Sequence, residues 1–167
     1  MLPDLLQPGL AVVFCGTAAG ARSAREGAYY AHPGNLFWRT LFATGLTPRQ
    51  LAPAEFPLVN GFGIGLTDLA KFHYGNDDQL PRDAFDVDAL KQRIARVGPR
   101  VLAFTSKHAG RAALGGKIDY GLQATTWGAT RLFVLPSPSG QARGAWNVAT
   151  WHNLARLVGA QPPGTER

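Results

Sequence analysis

The apolar and polar positions along the chain alternate between two kinds of segment. Leu10-Ala11-Val12-Val13-Phe14-Cys15-Gly16 is a continuous apolar run that ends in glycine, and it predicts a strand buried on both faces. Val101-Leu102-Ala103-Phe104 and Arg131-Leu132-Phe133-Val134-Leu135 predict two more. Between them the period lengthens. Asp86 is placed to cap a helix that carries Val87, Leu90, Ile94 and Val97 on one face, and Gly98-Pro99 ends it. Asn35 to Phe42 predicts a helix stopping near Gly45, Thr47-Pro48 a short one through Leu51, and Lys107 to Leu114 another. A last helix starts near Gly144 or Asn147 and reaches Leu157.

The remaining segments are less regular. Ala21 to Tyr30 is a polar stretch, Phe72 to Phe85 reads as a polar loop, and Tyr120 to Thr126 is ambiguous. Glycine stands at every second place from Gly61 to Gly65, predicting an extended segment that runs close to another backbone or a ligand. Strands alternating with helices predict one α/β domain spanning residues 1–167, a small parallel sheet covered by helices on both faces. Ligands of such sheets bind beyond the carboxyl ends of the strands, where the turns after Cys15 and after Leu135 should lie.

Composition narrows this picture. A chain of 167 residues, 46% of them apolar, can bury a core without disulfide or metal. It has no apolar run of membrane-spanning length. The start, Met1-Leu2-Pro3-Asp4, lacks the layout of a signal peptide, which points to a cytoplasmic protein. The single cysteine, Cys15, excludes an internal disulfide and a four-cysteine cluster. Histidines at 32, 73, 108 and 152 are too scattered to suggest a metal site. Seventeen basic residues, thirteen of them arginine, against eleven acidic ones give +6. That excess suits a polyanionic partner, although a GC-rich genome would raise arginine without one.

No Walker loop, dinucleotide fingerprint, His-Glu-x-x-His helix or Gly-x-Ser-x-Gly elbow is present. Two other strings are distinctive. Phe14-Cys15-Gly16-Thr17-Ala18-Ala19-Gly20 followed by Ala31-His32-Pro33-Gly34-Asn35-Leu36-Phe37-Trp38, and later Leu135-Pro136-Ser137-Pro138-Ser139-Gly140-Gln141-Ala142-Arg143, resemble the motifs of the mismatch-specific uracil/thymine-DNA glycosylases. That resemblance implies a uracil-DNA glycosylase-like α/β/α fold with about four parallel strands, and no metal or cofactor. It further implies a monomer of bacterial, nucleoid-associated kind acting on double-stranded DNA with G·U or related mispairs. Such enzymes flip the base out of the duplex and hydrolyse its N-glycosidic bond.

Carried over by position, the resemblance makes Gly16, Thr17, Ala18, Ser23, Tyr30 and Asn35 the base pocket. Tyr30 would stack on the base, the backbones of Thr17 and Tyr30 would read its edge, and Ser23 would sit near carbon 5. Ser137, Ser139, Gly140, Gln141 and Arg143 would form the loop that enters the duplex, with Gln141 in place of a bulkier apolar wedge. Lys71 and Arg22 are candidate phosphate contacts. The main departure is Ala18, where the family has an asparagine that positions water. Asp68, directly after the glycine-spaced segment, is the candidate replacement. An ionised carboxylate about 4 Å from an oxocarbenium-like centre contributes roughly 4 kcal/mol at an effective dielectric near 20, about a thousandfold in rate.

Blander readings stand beside these. Asp68 would also suit the cap of a short helix, Asn35 the cap of the helix that follows it, and Cys15 inert packing. Ala18 suits a catalytically silent relative that binds mismatches or abasic sites. A hydrolase with Ser137 or Ser139 as nucleophile lacks a histidine partner in any motif.

Overall fold

In the computed structural model, which describes residues 2–76, 80–81 and 84–164, five strands form one sheet in the order β2-β1-β3-β5-β4. The strands are β1 (Val12–Gly16), β2 (Ile64–Asp68), β3 (Val101–Phe104), β4 (Gly121–Trp127) and β5 (Thr130–Val134). β2, β1, β3 and β5 run parallel, in register, so that Val12 lies beside both Ile64 and Val101. These four are the small parallel sheet the sequence implies. β4, from the ambiguous stretch, pairs antiparallel on the outer edge of β5.

The helices are α1 (Ala21–Glu26), α2 (Phe37–Ala43), α3 (Val87–Val97), α4 (Lys107–Leu114) and α5 (Val148–Leu157). β1 is buried at all five positions because helices cover both sheet faces. On one face Val12, Phe14, Leu66 and Phe133 pack with Phe37, Trp38 and Leu41 of α2 and with Trp151 and Leu154 of α5. On the other, Val13, Cys15, Leu102, Phe104 and Leu132 pack with Leu90 and Ile94 of α3 and Ala109 of α4. The result is three layers, α/β/α.

Local chemistry sets the boundaries. Asp86 accepts a hydrogen bond from Ala89 N at 3.0 Å, Ser106 from Ala109 N at 3.0 Å and Asn147 from Ala149 N at 2.9 Å, which fixes the starts of α3, α4 and α5. Gly98 closes α3 with φ of 58°, in the left-handed region. Three segments depart from expectation. Ala21 to Glu26 is helical rather than irregular. The Thr47-Pro48 segment forms bends instead of a helix, its Thr47 hydroxyl donating to Arg49 O at 2.8 Å. Pro53–Phe62 is a 3-10 helix, so of the glycine-spaced stretch only Ile64–Asp68 is strand. The loop expected from Phe72 to Phe85 includes Asp77, Asp78, Gln79, Arg82 and Asp83, which lie outside the described residues.

Before β1, the chain lies along β2. Leu5 and Leu66 exchange backbone hydrogen bonds at 2.9 and 3.1 Å, and Leu2 is buried. Gly65 explains how this is possible. A Cβ there would come within 2.7 Å of Leu10 Cδ1, 2.8 Å of Leu5 O and 2.9 Å of Val13 Cγ2. At Gly61 a Cβ would meet nothing within 4 Å. Gly65→Ala is therefore expected to destabilise the protein by about 1–3 kcal/mol through overpacking, while Gly61→Ala stays near wild type. Equilibrium urea unfolding of the two variants checks the contrast.

Candidate active site

The strand order sets the position of the site. From β1 the chain crosses to β2 on one side, then returns past β1 to β3 on the other. The crevice where such crossovers diverge, at the strand carboxyl ends, is where open α/β sheets bind ligands. A cleft of about 910 Å3 opens there, lined among others by Gly16 to Ser23, Tyr30, Asn35, Asp68, Thr105 and Ser137 to Gly140. The two motif strings, nearly 120 residues apart, thus face one cavity.

Four groups converge at its floor. Gly16 ends β1 and pairs in register with Asp68 at the end of β2. A Cβ on Gly16 would lie 2.8 Å from Asp68 Oδ1, 3.4 Å from Thr105 Oγ1 and 3.5 Å from the Tyr30 hydroxyl. Only glycine leaves the carboxylate room. The Gly16 backbone N–H donates to that carboxylate.

Asp68 is 5% exposed. Burial is the largest influence on it and raises its pKa to about 7, against a smaller opposing pull from Lys71. Lys71 is turned to another anion: its ammonium lies 2.8 Å from Asp4 Oδ1 and donates to the Tyr29 hydroxyl at 3.3 Å. Arg93 Nε is 3.3 Å from Asp4 Oδ2, and the Arg93 guanidinium donates to the Asp68 carbonyl at 2.9 Å. Asp4 also accepts from Thr67 Oγ1 at 2.7 Å. Asp4 therefore gathers the two nearby cations, and Asp68 keeps a high proton affinity.

Tyr30 is the one non-glycine described residue with positive φ, 51°. Such strain persists where neighbours over-determine a residue. The Tyr30 ring stacks on Phe37, centroids 3.9 Å apart at 17°, and its hydroxyl shares a hydrogen bond with Thr105 Oγ1 at 3.2 Å. Ser23, buried in α1, accepts from Ala31 N at 3.0 Å and so holds the segment that follows Tyr30. Its hydroxyl serves the backbone as well as lining the cleft. Asn35 accepts from Phe37 N at 2.9 Å, but it stands one residue before Leu36, the N-cap of α2, rather than at the cap itself.

The other candidates fall as follows. Thr17 and Ala18 line the cleft, and Thr17 O accepts from Ala70 N at 2.7 Å. Ser137, Ser139 and Gly140 form the opposite wall. That wall is tied to the His32–Asn35 turn by Arg143, whose guanidinium donates to Gly34 O at 3.0 Å, and by Leu36 N to Pro138 O at 2.8 Å. The Gln141 backbone belongs to a 3-10 turn, Gly140–Ala145; its side chain lies outside the described residues. Lys71 is only 14% exposed and ion-paired, and Arg22 pairs with Glu26 at 2.8 Å, so neither presents an unengaged cation.

Thr105 and Ser106 at the end of β3, and the Leu2–Asp4 segment, escaped the sequence reading. The strand-then-Thr-Ser-then-helix pattern at 101–114 was the available signal for the first. Nothing marked the second. Among the described residues no group of three His, Cys, Asp or Glu could hold a metal ion, and no helix is long and apolar enough to cross a membrane.

Because the folded Asp68 carboxyl keeps its proton to about 7 whereas an unfolded one releases it near 3.8, its contribution to stability is present below pH 4. It is lost as pH rises to 7. Asp68→Asn removes that penalty, worth roughly 4 kcal/mol at full ionisation. Thermal scans should show the variant melting above wild type at pH 8 and level with it at pH 4.

Two comparisons bear on this geometry. A family model described as the uracil DNA glycosylase superfamily matches residues 3–155. The solution NMR structure of a candidate uracil DNA glycosylase from Methanosarcina acetivorans superposes with a TM-score of 0.63 at 21% identity. The match covers 94% of this chain and 96% of that one, and it shows the same fold.

Proposed function

The chain belongs to the uracil DNA glycosylase superfamily, and from that membership we propose that its cleft hydrolyses the N-glycosidic bond of uracil flipped out of mispaired duplex DNA, with Asp68 as the catalytic carboxylate. The observation that carries this reading is the meeting of Asp68, Gly16, Thr105 and Tyr30 at the cleft floor. Ala18 lines the cleft without a polar side chain, so any group that orients water must come from elsewhere. Asp68 fits that need.

The step balances simply. The C1′–N1 bond breaks with its electron pair leaving on the base, while a water oxygen bonds to C1′. Asp68 stabilises the cationic sugar and takes a proton from the water. With a pKa of about 7, half of the carboxylate is ionised at neutral pH, close to the optimum for a general base. Tyr30, partly buried at the cleft with Phe37 stacked against its ring, suits stacking of the flipped base, and the backbone of the Gly16 to Gly20 turn suits its polar edge. Gly140 and its neighbours, braced through Arg143 on Gly34, would fill the space the base vacates. Damaged or mismatched pyrimidines other than uracil are further candidate substrates, because Ala18 and Ala19 leave room.

The test uses labelled duplexes with G·U, A·U and G·T pairs, incubated without metal and then cleaved with alkali. Wild type should yield breaks at uracil, with a rate that rises through about pH 7 as Asp68 ionises. Asp68→Asn should lose about 10²- to 10⁴-fold in release, the usual range for a general base, while DNA affinity changes only a few-fold. Undiminished release by the variant removes Asp68 from the mechanism. Binding by wild type with no breaks on any duplex would instead favour a silent mismatch-binding relative, as Ala18 suggests.

A further inference from the structure

The loop after β2 carries two aromatic side chains that the pocket does not use. Phe72 is 85% exposed and Tyr74 66% exposed, the two most exposed large hydrophobic side chains among the described residues. The loop is not a frayed end. Ala70 N donates to Thr17 O at 2.7 Å, Gly75 N donates to Ala19 O at 2.9 Å, and Tyr74 pairs with Ala19 in an isolated parallel bridge. The same backbone that forms the pocket turn therefore holds in place the loop that carries these rings. Gly75 and Asn76 line the cleft itself, so the loop is its rim on the β2 side.

The opposite rim is the loop after β5, which contains Ser137 to Gly140. Three strand spacings separate β2 from β5, roughly 14 Å. That span is about four base steps of 3.4 Å. A strand that runs from rim to rim with one nucleotide in the pocket between them would pass the β2 rim within about two nucleotides.

The loop's chemistry suits bases better than phosphates. Lys71 is withdrawn into its ion pair with Asp4, and Asp77-Asp78 follow in the sequence. The affinity such a rim offers is to the flat faces of bases. In a continuous duplex those faces are hidden by stacking; in single strands, loops and bubbles they are open.

Resting on the glycosylase reading of the same cleft, we propose that Phe72 and Tyr74 form a stacking platform for unpaired bases of the target strand, one or two nucleotides from the flipped one. The protein then engages uracil in unpaired DNA as well as in mispaired duplex. Each ring contributes about tenfold to single-strand affinity, within the range alanine substitution shows for base–aromatic stacking.

The test measures binding of a fluorescein-labelled, mixed-sequence, uracil-free 15-mer by anisotropy, as a single strand and as a continuous duplex. The proteins are wild type, Phe72→Ala/Tyr74→Ala and Phe72→Trp. The double variant should lose about 30- to 100-fold on the single strand and under threefold on the duplex, with an unchanged melting temperature. Phe72→Trp should keep the affinity. In a second arm, 2-aminopurine two nucleotides from a target uracil should change its fluorescence with wild type and not with the double variant. Unchanged single-strand affinity, or equal losses on both DNAs, overturns the platform. If wild type still releases uracil from the G·U duplex in that case, the glycosylase reading stands without it; if wild type neither binds DNA nor releases uracil, that reading falls first.

Discussion

A carboxylate buried at the end of a sheet strand is the constraint around which this molecule is arranged. Burying Asp68 is unfavourable, and the fold offsets it only in part, through the charge of Lys71, whose ammonium is itself paired with Asp4, and more weakly through a backbone N–H from Gly16. That choice has consequences in every direction. β1 must end in glycine, because any Cβ would collide with the carboxylate. β1 and β2 must pair in the register that sets Gly16 beside Asp68. Lys71 and Arg93 must have another anion, and Asp4 is that anion. A salt bridge to Asp68 would make the fold more secure and the carboxylate a weaker base.

The pocket wall follows the same logic of fixing groups before a substrate arrives. Tyr30 is held in a left-handed backbone conformation by three independent contacts: Ser23 to the next residue's N–H, Thr105 to its hydroxyl and Phe37 under its ring. None of these touches would be reproduced by a flexible loop. A ring so placed loses little freedom on stacking, which is the physical advantage of preorganisation.

The sequence made the fold legible where burial on both faces leaves an unbroken apolar run, as in β1, β3 and β5, and where a side chain caps a helix, as at Asp86 and Asn147. It was least legible where the energetics are local or marginal. α1 is six residues long and buries only Ser23, so it has no apolar stripe to read. β4 is an edge strand with mostly exposed positions and a register shift between Leu122 and Thr126, so its alternation is blurred. The site was legible by the same division. Gly16, Asp68 and Tyr30 sit in or beside distinctive strings, and the structure brings them together. Thr105 joins them only because β3 lies beside β1, a fact of strand order that no single segment encodes. Lys71 looked like a surface cation because a sequence does not display Asp4 facing it, whereas Arg22 does lie at the surface, paired with Glu26 one helical turn on.

One further feature links the ends of this reasoning. Residues 2 to 5 add a short antiparallel rung to β2, place Leu2 at the cleft wall and deliver Asp4 to the cations beside Asp68. Residues 2 to 5 thus help to build the cleft and set the charge around Asp68. Replacing Asp4 would leave Lys71 and Arg93 without their shared anion and remove an influence that raises the proton affinity of Asp68. Proton affinity in the cleft and the stability of the fold are thus tied to the same four residues.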